Sequence, residues 1–203
     1  MDKVEYGMNI EQLDRLCTAK SYEEAEKVAD TIEWRKVKKW SELNIAREAY
    51  EKAGRLKDAR NICVYAYNRN LGGRRLVYML AELSIALNDL DEADDLYKEF
   101  VDMAPHDMSR YILLYKLNKA RGVPNARLIQ ILEEYRENEM DEQYGYELAD
   151  LYAKDGRIEE CVKECDDLIL WFNDGEYVEK ALNLKKIYAE LTPSQKEKLQ
   201  IMN

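Results

Sequence analysis

The sequence has few of the residues that break helices or build catalytic sites. Its 203 residues include three prolines, eight glycines and a single histidine, His106. Proline and glycine interrupt helices, so their scarcity favours long helical stretches. No glycine-rich phosphate loop, Ser-x-x-Lys motif or nucleophile elbow occurs, and His106 has no candidate nucleophile beside it in the sequence. We therefore expect an all-α protein that is not an enzyme and that uses no cofactor.

The sequence also lacks long apolar runs and a secretory leader. Its longest apolar runs, such as residues 168–172, are far shorter than the roughly 18 residues that a membrane helix needs. The N-terminus has no basic region followed by an apolar stretch and a cleavage site. These features predict a cytoplasmic protein without a membrane partner.

The four cysteines do not form the framework of a disulfide-rich or metal-binding domain. Cys17, Cys63, Cys161 and Cys165 fall within helical patterns, which predicts buried free thiols. Cys161 and Cys165 share a helix face, but no Cys-x-x-Cys pair exists and only one histidine is present, so we predict no metal site.

Charge is distributed unevenly along the chain. The net charge is −10, which disfavours general affinity for nucleic acid. Residues 34–75 nevertheless carry twelve Lys and Arg against four Asp and Glu, a net +8, which leaves −18 on the remainder. The segment from Trp34 to Trp40 adds two tryptophans to four basic residues. This basic region is a candidate surface for an acidic partner, for self-association or for nucleic acid.

A turn-like stretch recurs along the sequence at a constant interval of 34 residues. The stretches begin at Lys20, Gly54, Asn88, Gly122 and Gly156. Each separates two amphipathic segments, and in the best-defined unit the apolar positions are Leu43, Ala46, Ala49 and Tyr50 before the turn and Ala59, Ile62, Cys63 and Ala66 after it. A fixed period of this length predicts an array of helix-turn-helix repeats, and Gly54 and Asn88 are residues that suit a positive φ at the end of a helix.

Helix termini and surface positions give further predictions. Ser21 with Glu24, and Thr192 with Gln195, have the spacing of capping boxes at helix N-termini. The adjacent acidic pairs Asp94-Asp95 and Glu133-Glu134 occupy positions that we interpret as solvated helix faces serving solubility.

These units resemble tetratricopeptide repeats, and the resemblance covers nearly the whole chain. It rests on Leu43, Ala46, Tyr50, Gly54, Ala59 and Ala66 in one unit, on Ala81, Asn88, Ala93, Tyr97, Phe100 and Pro105 in the next, and on Leu148, Ala149, Tyr152, Gly156, Cys161, Cys165 and Leu168 in another. The sequence is also similar to bacterial, clostridial-type members of that family. The resemblance implies a right-handed superhelical solenoid of about five antiparallel helix pairs with C-terminal capping helices.

Under this resemblance the chain is one repeat domain, residues 1–203. Its units span approximately residues 5–35, 40–72, 74–106, 108–138 and 142–174, with a cap at 176–203. The first helix of each pair would line a concave groove. The residues implied to face that groove as the partner-binding site are Asn44, Glu48, Arg75, Tyr78, Glu82, Ile112, Lys116, Lys119, Tyr146 and Asp150.

The resemblance and the groove residues together predict a scaffold that binds a protein or peptide partner. Arginine and tyrosine are the residue types that dominate binding hot spots, and Arg75, Lys116 and Lys119 suit an acidic group on the partner. Two alternatives stay open at this point. One is a nucleic-acid-associated factor that uses the basic region, and the other is a structural scaffold that self-associates, as a homodimer for example.

Overall fold

The computed structural model describes residues 3–202 and contains α-helices without any β-strand in that range. The all-α prediction is therefore confirmed. The helices are α1 (Lys3–Thr18), α2 (Tyr22–Ala29), α3 (Trp40–Lys52), α4 (Leu56–Tyr67), α5 (Gly73–Ala86), α6 (Leu90–Met103), α7 (Ser109–Ala120), α8 (Asn125–Arg136), α9 (Glu142–Lys154), α10 (Ile158–Trp171), α11 (Glu176–Tyr188) and α12 (Pro193–Met202). A short 3-10 turn, Trp34–Lys36, lies between α2 and α3.

The chain divides into two compact units. The first extends to Leu113 and the second starts at Leu114, so the division falls within the sequence of α7. In the first unit the core runs continuously from Leu13 to Leu113. Across the described residues, no helix has the length and hydrophobicity that a transmembrane span requires.

The five predicted turns share one backbone conformation. The first residue of each turn stretch has positive φ: +58° at Lys20, +82° at Gly54, +60° at Asn88, +68° at Gly122 and +79° at Gly156. At each turn this residue donates its N–H to the carbonyl three residues earlier, at 3.0–3.2 Å. The following residue donates to the carbonyl five residues earlier, at 2.8–3.3 Å. This is the Schellman arrangement, which satisfies the last carbonyls of a helix.

Buried residues of α3 and α4 follow the predicted stripes. In α3 the buried residues are Leu43, Ala46, Ala49 and Tyr50, and in α4 they are Ala59, Ile62, Cys63 and Ala66. The small residues Ala59, Ala93 and Cys161 have no exposed surface. A small side chain at this position lets neighbouring helices approach closely, while a fully buried leucine such as Leu43 contributes about 1.5–3 kcal/mol through removal from water.

One of the two predicted capping boxes forms. At α12 the Thr192 N–H donates to Gln195 Oε1 at 3.1 Å, and the Gln195 N–H donates to Thr192 Oγ1 at 3.3 Å. Ser21 does precede α2, but its hydroxyl accepts no capping hydrogen bond. The predicted Ser21 capping box is therefore wrong, because Ser21 has φ −86° and ψ 64° instead of the extended conformation typical of a capping residue.

Buried polar groups fix α12 within the second unit. Lys185 is buried, and its Nζ donates to Asp166 Oδ1 at 2.5 Å and to Gln195 Oε1 at 3.1 Å. Gln195 Nε2 also donates to Asp166 Oδ1, at 2.7 Å. The charge of Lys185 is thus compensated where it leaves water, which burial requires.

Candidate functional site

Three of the residues predicted to face a groove lie together on α5. Arg75, Tyr78 and Glu82 are spaced i, i+3 and i+7, which places them on one face of the helix. They line a cavity of about 410 Å³ in the first unit. We call this cavity the α5 pocket; its lining residues are Arg74, Arg75, Tyr78, Met79, Glu82, Phe100, Asp107 and Ser109.

The walls of the α5 pocket are partly aromatic and rigid. The Tyr78 ring meets the Phe100 ring edge to face, with centroids 5.4 Å apart and planes at 64°. Phe100 itself is buried, so Tyr78 rests on a fixed base while remaining half-exposed. An aromatic ring held in this way offers contact area at little cost in conformational entropy.

Two arginines, Arg74 and Arg75, border the α5 pocket near the N-terminus of α5. Arg75 is exposed and has no ion-pair partner among the residues that the structure describes. Arg74 reaches Asp107 at 3.8 Å, but its side chain is 61% exposed, so this pair contributes little to stability. Asp107 also accepts the backbone N–H of Ser109 at 3.0 Å, at the start of α7. Arg75 is therefore available to an anionic group.

Two other predicted residues of the first unit have local roles. Asn44, on α3, accepts a hydrogen bond from Arg47 Nε at 2.9 Å through Oδ1. Ile112 is only 5% exposed, so its side chain belongs to the packing of the molecule and offers no surface to a partner. A helical pattern cannot separate a groove-facing isoleucine from a packed one, because both lie on apolar stretches.

The predicted residues of the second unit lie on α7 and α9, and three of them have separate side-chain partners. Lys119 donates to Glu147 Oε2 at 2.6 Å, and the Tyr115 hydroxyl donates to the same oxygen. Asp150 pairs with Lys154 at 2.5 Å. Half-buried Tyr146 lies against Tyr177, with ring centroids 6.0 Å apart. Lys116, also in this unit, is half-buried.

The surroundings of Glu147 and Tyr146 on α9 shift the pKa values of both side chains. Burial raises the pKa of the Glu147 carboxyl, but hydrogen bonds from Lys119, Tyr115 and Gln143 outweigh burial and hold the pKa below its ordinary value. Burial and the charge of Asp150 raise the pKa of Tyr146, so this hydroxyl stays a neutral donor at physiological pH.

Comparison with known proteins identifies the architecture. No family model matches the sequence, and a sequence search of curated proteins gives no match. Solved structures do resemble it. A tetratricopeptide repeat protein from Parabacteroides merdae aligns with a TM-score of 0.69 and 15% identity, covering 99% of this chain and 85% of that one. The C-terminal part of a repeat protein from Cytophaga hutchinsonii gives 0.63 and 16%, covering 95% and 78%.

A third similar structure is that of YrrB, described as a tetratricopeptide repeat protein with an unusual peptide-binding site. It aligns with a TM-score of 0.55 and 16% identity, covering 88% of this chain and 90% of that one. The chain has the tetratricopeptide-repeat fold. This confirms the resemblance drawn from the repeat residues, whereas the clostridial-type similarity stays a prediction.

Within the tetratricopeptide-repeat fold, one recurrent cluster was not predicted from the sequence. The Tyr50 hydroxyl donates to Asp30 Oδ1 at 2.9 Å, and Arg55 donates to Asp30 Oδ2 at 2.7 Å while its guanidinium lies 4.6 Å above the Tyr50 ring. Asp30 follows α2, so the cluster fastens one helix pair to the preceding one. Hydrogen bonds from Arg55 lower the pKa of Asp30 below its ordinary value.

The same cluster recurs in the second unit. The Tyr152 hydroxyl donates to Glu133 Oε1 at 2.8 Å, and Arg157 donates to the same oxygen at 3.2 Å with its guanidinium 4.5 Å from the Tyr152 ring centroid. Glu133 is therefore half-buried and structural, which corrects its interpretation as a solubilising residue. The sequence did contain a sign of this cluster, because Tyr50 and Arg55 recur as Tyr152 and Arg157 three repeats later.

The cysteine thiols, which are the strongest nucleophiles in the chain, are buried. All four cysteines are free. Burial raises the pKa of Cys17 to about 11 and that of Cys63 to about 12. Because the thiolate is the reactive form, burial and the raised pKa disfavour reaction of Cys17 and Cys63 at neutral pH. Among the residues that the structure describes, no group of His, Cys, Asp and Glu has the arrangement of a metal site.

Proposed function

We propose that this chain is a non-enzymatic scaffold that binds a peptide or a segment of a partner protein in the α5 pocket. The observation that carries the proposal is the convergence of Arg75, Tyr78 and Glu82 on one cavity beside the buried ring of Phe100. A pocket that combines aromatic and apolar surface with convergent polar groups is a usual form of recognition site. The likeness to YrrB, whose description includes a peptide-binding site, supports the proposal.

The chemistry of the α5 pocket favours a partner with an acidic group next to an apolar side chain. Tyr78, Met79 and Phe100 offer apolar surface, and Arg75 offers a guanidinium that can bind a carboxylate through two parallel hydrogen bonds. Glu82 lies about one helical turn beyond Tyr78 and presents an acceptor to the partner's backbone N–H groups. The two charges at opposite ends of the face would set the direction in which a peptide binds.

The second unit would add its own contact surface around Tyr146. Its ring is half-exposed and supported by Tyr177, with Lys180 Nζ 4.6 Å from the Tyr177 ring centroid. Lys119 and Asp150 are held on either side by their ion pairs. Lys116 belongs to the same proposed surface. We also propose a cytoplasmic location, where the four buried thiols would remain reduced.

Selection from a displayed library of random peptides tests the proposal. We expect wild-type protein to enrich peptides that pair an acidic residue with an apolar one. We then measure the affinity for such a peptide by calorimetry. Arg75→Glu and Tyr78→Ala should each bind it about tenfold more weakly than wild type, or weaker still, because hot-spot residues carry most of the binding energy. Lys57→Glu is the matched control, since Lys57 is exposed on α4 and makes the same change of charge.

Equal affinity of wild type and both α5 variants for every selected peptide would reject the α5 pocket as the binding site. Circular dichroism of each variant shows whether the fold is retained. All three substituted side chains are at least partly exposed, so we expect the helical content to be unchanged.

A further inference from the structure

A second cavity of the first unit lies away from α5. It has a volume of about 750 Å³ and lies between α4 and the connection from α2 to α3. We call it the α4 cleft; its lining residues are Glu33, Trp34, Arg35, Asn61, Ile62, Val64, Tyr65 and Asn68. None of these residues belongs to the α5 pocket.

Hydrogen bonds hold the two walls of the α4 cleft in place. The Trp34 indole donates its N–H to the Ala29 carbonyl at 2.9 Å. The Tyr65 hydroxyl lies within hydrogen-bond distance of the backbone carbonyls of Arg35 and Val37. Trp34 and Tyr65 are each half-buried. The connecting segment is thus fastened to α4, and the apolar walls are formed before any partner binds, which lowers the entropic cost of binding.

Unpaired positive charge borders the α4 cleft. Lys36 pairs with Glu33, which neutralises the acidic residue of the lining. Arg35 and Arg69 have no ion-pair partner among the described residues, and the Arg69 guanidinium lies 4.6 Å from the Tyr65 ring centroid. The cleft belongs to the +8 segment of a chain that carries −18 elsewhere. An acidic ligand would therefore be repelled by most of the molecule and attracted to this cleft.

The aromatic side chains of the α4 cleft are poorly arranged for nucleic acid. Binding of single strands uses open aromatic faces on which bases stack. One face of Tyr65 is already covered by Arg69, and Trp34 is half-buried with its indole N–H engaged. Asn61 and Asn68, by contrast, are exposed in the lining and carry amides whose donor and acceptor match a peptide group.

We infer that the α4 cleft is a second docking site, which binds an acidic peptide segment of a partner protein. One apolar side chain of the segment occupies the space between Trp34, Ile62 and Tyr65. Flanking carboxylates contact Arg35 and Arg69, and the amides of α4 hold the peptide backbone. The site would let the chain hold a partner at two places, which raises avidity without any new contact in the α5 pocket.

Fluorescence anisotropy with short labelled peptides tests this inference. The probes carry one central leucine flanked by glutamates, by serines or by lysines. The glutamate peptide should bind wild type most tightly, and its affinity should fall about tenfold in an Arg35→Glu, Arg69→Glu variant. It should also weaken with added salt, because exposed charges are screened.

A control variant and an Arg75→Glu background separate this site from other sources of binding. Lys52→Glu, Lys57→Glu changes the same number of charges within the basic segment, at exposed residues outside the cleft, and should bind nearly as wild type does. The cleft variant and this control are also compared in an Arg75→Glu background, which removes any binding of the glutamate peptide to the α5 pocket and leaves the loss at the cleft to be measured by itself. Equal affinity for glutamate and lysine peptides would overturn the inference, and so would equal losses in the cleft and control variants. Tighter binding of a labelled oligouridylate than of any peptide would instead assign the cleft to nucleic acid.

Discussion

At the residue scale, the turn glycines are explained by backbone conformation and not by crowding. Gly54 has φ +82°, yet a Cβ added there would meet no atom within 4 Å. Gly7 lies inside α1 and would also accept a Cβ without contact, but its φ is not positive. The two glycines thus differ in backbone conformation but not in the space around them. Comparing their replacement by alanine therefore isolates the effect of conformation.

Replacement of each glycine by alanine should change stability in opposite directions. Gly54→Ala should lower the free energy of unfolding by about 1 kcal/mol, because an L-residue is disfavoured at positive φ. Gly7→Ala should raise it by about 0.5–1 kcal/mol, because alanine loses less backbone entropy in a helix. Urea unfolding monitored by circular dichroism measures both. A change of the same sign in the two variants would contradict the conformational explanation.

At the element scale, Glu147 connects α7 with α9 inside the second unit. Its side chain is 19% exposed and accepts hydrogen bonds from Tyr115 and Lys119 of α7. The pKa of Glu147 lies below its ordinary value in the folded protein. The stabilisation from its ionised form is therefore fully present above the ordinary glutamate pKa of about 4.3 and is lost as pH falls through the lower, folded value.

Glu147→Gln should therefore destabilise the protein in a pH-dependent way. At pH 7 we expect a loss of about 1–3 kcal/mol, since the buried Tyr115 hydroxyl and the Lys119 ammonium lose a charged acceptor. The difference from wild type should shrink when urea unfolding is repeated below about pH 4, where the wild-type carboxylate is progressively protonated. Glu134→Gln, at an exposed residue of α8, serves as control and should change stability by less than about 0.5 kcal/mol throughout. A pH-independent loss in Glu147→Gln would exclude the ionic explanation.

Much of the fold could be predicted at this scale because helices and their termini depend on local sequence. The 34-residue period located five of the positive-φ turns, and apolar spacing located the buried faces of α3 and α4. The clusters around Asp30 and Glu133 were missed for a physical reason. They join side chains from different helix pairs, and a local pattern does not specify where a long arginine side chain ends.

For the candidate site too, the local features could be predicted from the sequence and the tertiary contacts could not. Arg75, Tyr78 and Glu82 share a helix face, and that much follows from their spacing. The opposite wall of the α5 pocket, with Phe100 and Asp107, depends on tertiary packing that the spacing does not contain. The same limit explains Ile112, which is packed although the family resemblance implied a place in the groove.

At the scale of the whole molecule, the chain combines a repeat architecture with two separate cavities in its first unit that we propose as recognition surfaces. The architecture is shared with other tetratricopeptide repeat structures at 15–16% identity. At such identity the surface residues are free to differ, so partner choice must follow from this chain's own side chains. Under the two proposals, partner choice would depend on Arg75 and Tyr78 in the α5 pocket, and on Arg35 and Arg69 at the α4 cleft.

An NMR titration of isotope-labelled protein with a library-selected peptide tests whether the α5 pocket binds the peptide. We expect the largest amide shift changes on residues 74–82 of α5, with smaller changes near Phe100 and Ser109 across the pocket. These changes should disappear in Tyr78→Ala while the rest of the spectrum is retained. Shift changes confined to helices that do not line the α5 pocket, or changes that persist in Tyr78→Ala, would contradict the proposal that this pocket binds the partner.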